Sequence, residues 1–231
     1  MLHSFRYISI LRVLEDSGFI EGAHRIAEIG SGISGLSTYI KGRFIGCDLD
    51  FPGKTPSGMR PVRCNVFELP FEERSIDFVV SSDMMEHIPP MMRERAVKEM
   101  LRVTSKCLIM AFPEGEKARQ CDVRINDSLK KGKKSVPSWL IEHLDEKNIF
   151  PTTEEIGGIL DSTGLRYVAY PNESLLLHAA GVRLENTPAY KKLAWRARNF
   201  PARHLWRPLL PLASMGETYR RIFAVYRKVG A

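Results

Sequence analysis

Cysteine is scarce in this chain. The four present, Cys47, Cys64, Cys107 and Cys121, never form a C-x-x-C pair. That excludes a disulfide scaffold or a cysteine-cluster zinc site, and it implies buried free thiols in a reducing compartment. Long apolar runs are missing too: nothing approaches the roughly 20 residues that a membrane-spanning helix needs. The start, Met1-Leu-His-Ser-Phe-Arg6, has no continuous apolar core, so no signal peptide and a cytoplasmic location are expected. Neither H-E-x-x-H nor another metal-ligand spacing occurs, so no metal is expected. RNA-binding module motifs are likewise absent.

What remains is an ordinary soluble composition, 44% hydrophobic and 26% charged over 231 residues. That length supports one domain with a sizeable core. The most informative stretch is Arg25-Ile-Ala-Glu-Ile-Gly-Ser-Gly-Ile-Ser-Gly35. A short apolar run ends in three glycines spaced G-x-G-x-x-G. Leu36, Tyr39 and Ile40 then resume at helical spacing, so strand, tight turn and helix are expected. Glycine has no Cβ and tolerates positive φ, so such a turn lets the backbone approach a ligand closely. On its own the spacing fits a dinucleotide fingerprint, with Asp48 near the distance of a ribose-binding acid.

Periodicity extends the pattern along the chain. Phe5, Ile8, Leu11, Val13 and Leu14 predict an amphipathic helix within residues 1–22. Strands are expected near 25–29, 43–48, 61–64, 76–81, 107–112 and 165–170, with a last β-rich segment at 219–228. A helix over 91–103 presents Ala96, Val97, Met100 and Leu101 on one face, just after Pro89-Pro90. Another over 152–163 has Thr152 or Thr153 as its cap, acids in its first turn and Gly164 at its end. The expected fold class is therefore α/β, with a doubly wound, mostly parallel sheet.

Four segments in order identify a family. Glu28 stands two residues before Gly30. Arg43-Phe-Ile-Gly-Cys-Asp48 is a strand ending in an acid. Asn65-Val-Phe-Glu-Leu-Pro-Phe71 follows, and then Ile76-Asp-Phe-Val-Val-Ser-Ser-Asp-Met-Met-Glu-His87. Together, over roughly residues 25–170, they resemble the class I S-adenosylmethionine-dependent methyltransferases. Two positions depart from that pattern: Ser34 stands where the third glycine usually sits, and Asn65 where an aspartate is common.

The resemblance implies a seven-stranded Rossmann-like sheet over residues 23–170 and 219–228, and S-adenosylmethionine as cofactor. It implies that the backbone of Gly30, Ser31 and Gly32 passes beneath the methionine moiety, while Glu28 holds the turn and faces the cofactor's ammonium. Asp48 would take both ribose hydroxyls and Leu49 one adenine face. Asn65 and Val66 would read the adenine edge. Ser81 and Ser82 would stand near the methionine end. His87, after the fourth strand, is the expected general base for a hydroxyl acceptor, because its ordinary pKa lies near neutrality. Packing or capping is its structural alternative, and Asp83 and Glu86 are the next candidates. Asp50, before Phe51-Pro52-Gly53, is read as a turn former.

Two segments stand outside this common core. Residues 114–151 carry Leu129-Lys-Lys-Gly-Lys-Lys134, which reads as a solvated loop or as a lid. Pro137-Ser-Trp-Leu-Ile-Glu-His143 reads as a short helix with Trp139 packed inward. Residues 171–218 form a basic, aromatic insertion, expected to be helical. From 181 to 231 there are 11 Lys/Arg against 2 Asp/Glu, a net of +9 in a chain of net +7, so the preceding 180 residues carry −2. Trp195, Phe200 and Trp206 interleaved with arginines suit a helical cap or peripheral membrane contact through residues 190–212, with nucleic acid the weaker alternative. The expected acceptor is an oxygen on a small molecule or on a glycan or lipid-linked precursor. An RNA methyltransferase and a non-catalytic cofactor-binding scaffold are the alternatives.

Overall fold

A computed structural model describes residues 2–33, 35–40, 43–185, 187 and 214–227. Helix α1 (Leu2–Asp16) leads into β1 (Ile26–Ile29), β2 (Phe44–Asp48), β3 (Met59–Arg63) and β4 (Ile76–Ser82). Helix α2 (Pro90–Val103), β5 (Thr104–Pro113), α3 (Gly115–Lys131), α4 (Ser138–His143) and α5 (Thr153–Asp161) follow. The chain closes with β6 (Arg166–Ser174), α6 (Leu175–Glu185) and β7 (Thr218–Tyr226). The strands form one seven-stranded sheet in the order β3-β2-β1-β4-β5-β7-β6. The first five are parallel, and β7 runs antiparallel between β5 and β6.

Both faces of the sheet are covered, which is why its central strands are apolar on successive residues. In β5, Leu108, Met110 and Phe112 point to one face and pack with Ala96, Val97 and Met100 of α2 and Ile156 and Leu160 of α5. Cys107, Ile109 and Ala111 point to the other and pack with Tyr7, Ile10, Leu11 and Leu14 of α1. The period-two alternation of a strand thus feeds two separate cores. All four cysteines are free thiols.

Several boundaries differ from the sequence reading. Helix α1 stops at Asp16 rather than near 22, where Gly18 at φ +83 takes the left-handed conformation that ends helices. After the glycine turn comes only a 3-10 turn, Gly35–Thr38, in place of the expected helix. Strand β6 continues past Tyr170 to Ser174, with a register shift at Pro171 that absorbs the missing N–H. The insertion therefore begins four residues later than the expected 171, with α6. Residues 190–212, the basic aromatic segment, lie outside the described residues.

The largest correction concerns residues 114–151. The expected loop is largely the 17-residue helix α3. Ala118, Cys121, Ile125 and Leu129 form its buried stripe and meet Leu140, Val182 and Tyr219 in a third core. Of the lysines that read as a loop, Lys130 and Lys131 occupy its last turn, where they suit the helix dipole, and Lys133 and Lys134 follow it. Thr152 caps α5 as expected, its hydroxyl accepting from the Glu155 N–H at 3.1 Å.

Candidate active site

The chain leaves β1 towards β2 on one side and leaves β4 towards β5 on the other. A crevice opens at the carboxyl ends of two parallel strands whose connections diverge in this way. The glycine turn forms one wall. The Gly30 and Ser31 N–H groups both donate to the Cys47 carbonyl, at 2.8 and 3.1 Å, which clasps the turn to the end of β2. Gly30 has φ +77, and a Cβ there would lie 3.0 Å from Met84. Gly32, at φ +56, faces open space.

Glu28 holds this turn from beneath. It is fully buried and accepts from the Leu36 N–H at 2.6 Å and from the Tyr7 hydroxyl at 2.8 Å. Burial lifts its pKa from 4.5 to about 7 despite those bonds. A Cβ on Gly35 would stand 2.1 Å from the Glu28 carboxylate. The glycine at 35 is therefore the one this turn requires, one place beyond the family's usual position.

Asp48 completes the wall at the end of β2. One carboxylate oxygen accepts from the Gly32 N–H at 2.8 Å and the other from the Leu49 N–H at 2.7 Å. Leu49 is exposed over the crevice edge. Asn65 is exposed, and its side-chain oxygen accepts from the Phe67 N–H at 3.0 Å, with half-buried Val66 between them. Asp50 is ion-paired with Arg63 across the β2–β3 edge. At the end of β4, Ser81 and Ser82 are both buried, and the Ser82 hydroxyl has no hydrogen-bond partner among the described residues.

From this turn a cavity of about 400 Å³ runs to a second wall of charged and imidazole side chains. Asp83, at φ +50, turns the chain out of β4. Arg220 of β7 donates to both its carboxylate oxygens, at 2.9 and 3.0 Å, and Arg6 of α1 donates to it as well. Burial alone would push Asp83 up, but these two guanidiniums hold it well below the usual carboxylate range. Arg220 also pairs with Glu173. His178 bridges Glu173, at 3.3 Å, to Asp122, at 3.2 Å. The two carboxylates overcome the effect of its burial and raise its pKa. Asp122 also accepts from the Tyr219 hydroxyl at 2.9 Å and from His143 Nδ1 at 2.9 Å.

His87 stands exposed at the mouth, in the 3-10 turn Met85–His87. The Asn148 amide nitrogen donates to the Glu142 carbonyl at 2.7 Å, which fixes it as the donor. It lies 3.3 Å from His87 Nδ1, so Nδ1 accepts and the ring proton sits on Nε2. Partial burial, followed by nearby His143, lowers the His87 pKa. In His143 the arrangement is reversed: Nδ1–H donates to Asp122, and Nε2 lies 3.7 Å from a Glu86 oxygen. Trp139 packs edge-on against His143 and His178 and lines the same cavity.

Of the residues expected from sequence, Gly30, Ser31, Gly32, Ser82 and His87 line this cavity. Glu28, Ser81, Asp48, Leu49, Asn65 and Val66 do not line it; Glu28 and Asp48 reach the turn through the Leu36 and Gly32 N–H groups. Arg6, Asp122, His143, Glu173, His178 and Arg220 were not singled out, because they come from α1, α3, α4, β6, α6 and β7 and form no local motif. Their signal was weak but present: a charge or an imidazole on the apolar face of an element, such as Arg220 in Thr218–Tyr226.

Residues 27–107 match the family model described as a methyltransferase domain. That match covers about a third of the chain, and the seven-stranded fold around it is shared with solved methyltransferase structures. Solved structures with the same fold include phosphoethanolamine N-methyltransferase 2 of Haemonchus contortus, complexed with phosphomonomethylethanolamine and S-adenosylhomocysteine. It is 17% identical with a TM-score of 0.56, and the match covers 94% of this chain and 52% of that one. The magnesium protoporphyrin IX methyltransferase of Synechocystis, with bound S-adenosylhomocysteine, is 13% identical with a TM-score of 0.57, over 98% and 84% of the two chains. This chain thus spans about half the length of the Haemonchus enzyme. No curated protein matches it in sequence. Among its described residues, no helix is long and apolar enough to cross a membrane.

Proposed function

We propose that this methyltransferase moves the methyl group of S-adenosylmethionine to an oxygen of a small polar molecule, or of a glycan or lipid-linked precursor. The observation behind this reading is the single cavity that joins the glycine turn to the wall bearing Asp83, His87 and His143. A scaffold without turnover has no need of an open acceptor space beside the cofactor turn, and a cavity of this size suits a small group rather than a nucleic-acid surface.

In this reading Gly30, Ser31 and Gly32 carry the methionine moiety, and Glu28 keeps the turn in shape. Each Asp48 oxygen accepts one backbone N–H and keeps a lone pair for a ribose hydroxyl. Leu49, Asn65 and Val66 border the adenine. Ser81 and Ser82 close the methionine end, with the unpartnered Ser82 hydroxyl open to the cofactor. His87 acts on the acceptor from the cavity mouth. The sulfonium already activates the methyl group, so alignment and removal of the hydroxyl proton are what the protein supplies. The basic segment at 190–212 brings the enzyme to an anionic lipid surface or its lipid-linked substrate.

Calorimetry tests the cofactor: S-adenosylhomocysteine binds and NAD does not, and the reverse result sinks the reading. Mass spectrometry on a panel of hydroxylated acceptors tests the chemistry, with a gain of one methyl on oxygen expected. His87→Ala lowers turnover by about 10²–10⁴-fold while S-adenosylhomocysteine affinity is nearly unchanged. Cosedimentation with anionic vesicles that falls as salt rises supports the membrane role; no binding at low salt removes it.

A further inference from the structure

We propose that Glu86, His87 and His143 form a binding site for one divalent transition-metal ion at the acceptor end of the cavity. The inference deepens the methyltransferase reading and rests on it for its function, though not for its test. One ligand atom from each of the three residues lies within 4.8 Å of the others. His143 Nε2 and a Glu86 oxygen are 3.7 Å apart. Two donors held by one ion at about 2.0–2.2 Å stand no more than about 4.2 Å apart, so this pair already fits one ion. The third, on exposed His87, joins them once its one ring lone pair turns from the Asn148 amide to the ion.

Two further observations point to a ligand. Glu86 is fully buried, yet neither carboxylate oxygen has a hydrogen-bond partner among the described residues. A buried carboxylate left in that state is costly until a proton or a cation neutralises it, and a cation can take the place of that proton. Behind His143, Asp122 accepts the Nδ1 proton at 2.9 Å. That carboxylate–imidazole pair fixes the tautomer and aims the Nε2 lone pair outward, as outer-shell acids do behind metal-bound histidines. Arg6 and Arg220 do not oppose a cation there, because Asp83 and Glu173 already meet their charges.

Two imidazoles and one carboxylate suit a borderline divalent ion such as zinc, cobalt or iron, and three protein ligands leave positions open for substrate. An acceptor hydroxyl bound there loses its proton to solvent more readily. Its oxygen lone pair then forms the O–CH₃ bond as the S–CH₃ bond breaks, and that bond's electron pair stays on sulfur in S-adenosylhomocysteine. His87 in this scheme holds the ion rather than the proton.

The test uses the full chain, stripped with a chelator and titrated with Co²⁺, with S-adenosylhomocysteine binding measured in parallel. One equivalent of Co²⁺ with d–d absorption in the visible is expected. Glu86→Gln and His143→Ala each weaken Co²⁺ binding by more than the about 10–100-fold that loss of an outer-shell partner costs, and leave S-adenosylhomocysteine affinity unchanged. Absence of stoichiometric Co²⁺ binding by the wild-type chain overturns the site, whatever the variants do. So does equal binding by wild type and both variants. A chain that binds S-adenosylhomocysteine but not Co²⁺ loses only this inference. Failure to bind S-adenosylhomocysteine overturns the cofactor reading instead, and the Co²⁺ titration still decides the site.

Discussion

Replacing Glu28 by glutamine will change how the stability of this fold responds to pH. The carboxyl is fully buried, and burial is the largest influence on it, lifting its pKa from 4.5 to about 7. Between those two values the folded protein holds a proton that the unfolded chain has released. Stability therefore falls as pH rises through this window, since the folded state binds more protons there. The rise from 4.5 to about 7 corresponds to about 3 kcal/mol, lost by about pH 8. Glutamine cannot titrate. It also has one acceptor oxygen for two donors, the Leu36 N–H and the Tyr7 O–H, and that mismatch adds a cost independent of pH. The difference in unfolding free energy between wild type and Glu28→Gln isolates the titration. Urea denaturation at pH 4.5 and pH 8 should show the variant gaining about 3 kcal/mol relative to wild type at the higher pH. An equal difference at both pH values refutes the assignment. Saturating S-adenosylhomocysteine should shrink the effect if its ammonium stands against Glu28, because a nearby cation favours the charged carboxylate.

Asp48→Ala should weaken S-adenosylhomocysteine binding by about 1.5–3 kcal/mol in calorimetry, as expected for hydrogen bonds to a charged group; an unchanged affinity would place the ribose elsewhere. Arg220→Met strips two buried carboxylates, Asp83 and Glu173, of a cation and should cost about 3–5 kcal/mol in chemical denaturation. A loss below about 1 kcal/mol would mean that Arg6 and His178 suffice. Gly35→Ala puts a methyl group 2.1 Å from the Glu28 carboxylate and should cost about 1–3 kcal/mol, with weaker S-adenosylhomocysteine binding as the turn shifts.

Local chemistry was readable in the sequence because it is local. The glycine turn, the acid ending β2, the strands and the cap at Thr152 each depend on residues a few positions apart, so period and turn residues reveal them. The same signals misled where charge concealed period. In α3 the lysines of the last turn outweighed the stripe of Ala118, Cys121, Ile125 and Leu129, and a helix read as a loop. The glycine at 35 looked like a departure from pattern until Glu28 was seen beneath it.

Only tertiary structure could assemble the acceptor wall. Arg6 and Asp83 are separated by 77 positions, Asp83 and Arg220 by 137, and His143 and Asp122 by 21, yet each pair is joined by a hydrogen bond. Sequence by itself determined that the chain carries a glycine turn on a parallel sheet, because strand period and glycine spacing are properties of neighbouring residues. The sheet order β3-β2-β1-β4-β5-β7-β6 decided which distant charges share a cavity, because strand pairing brings the ends of β4 and β7 together across β5. It also buried Glu86 3.7 Å from the His143 imidazole, and no spacing along the chain could have shown that.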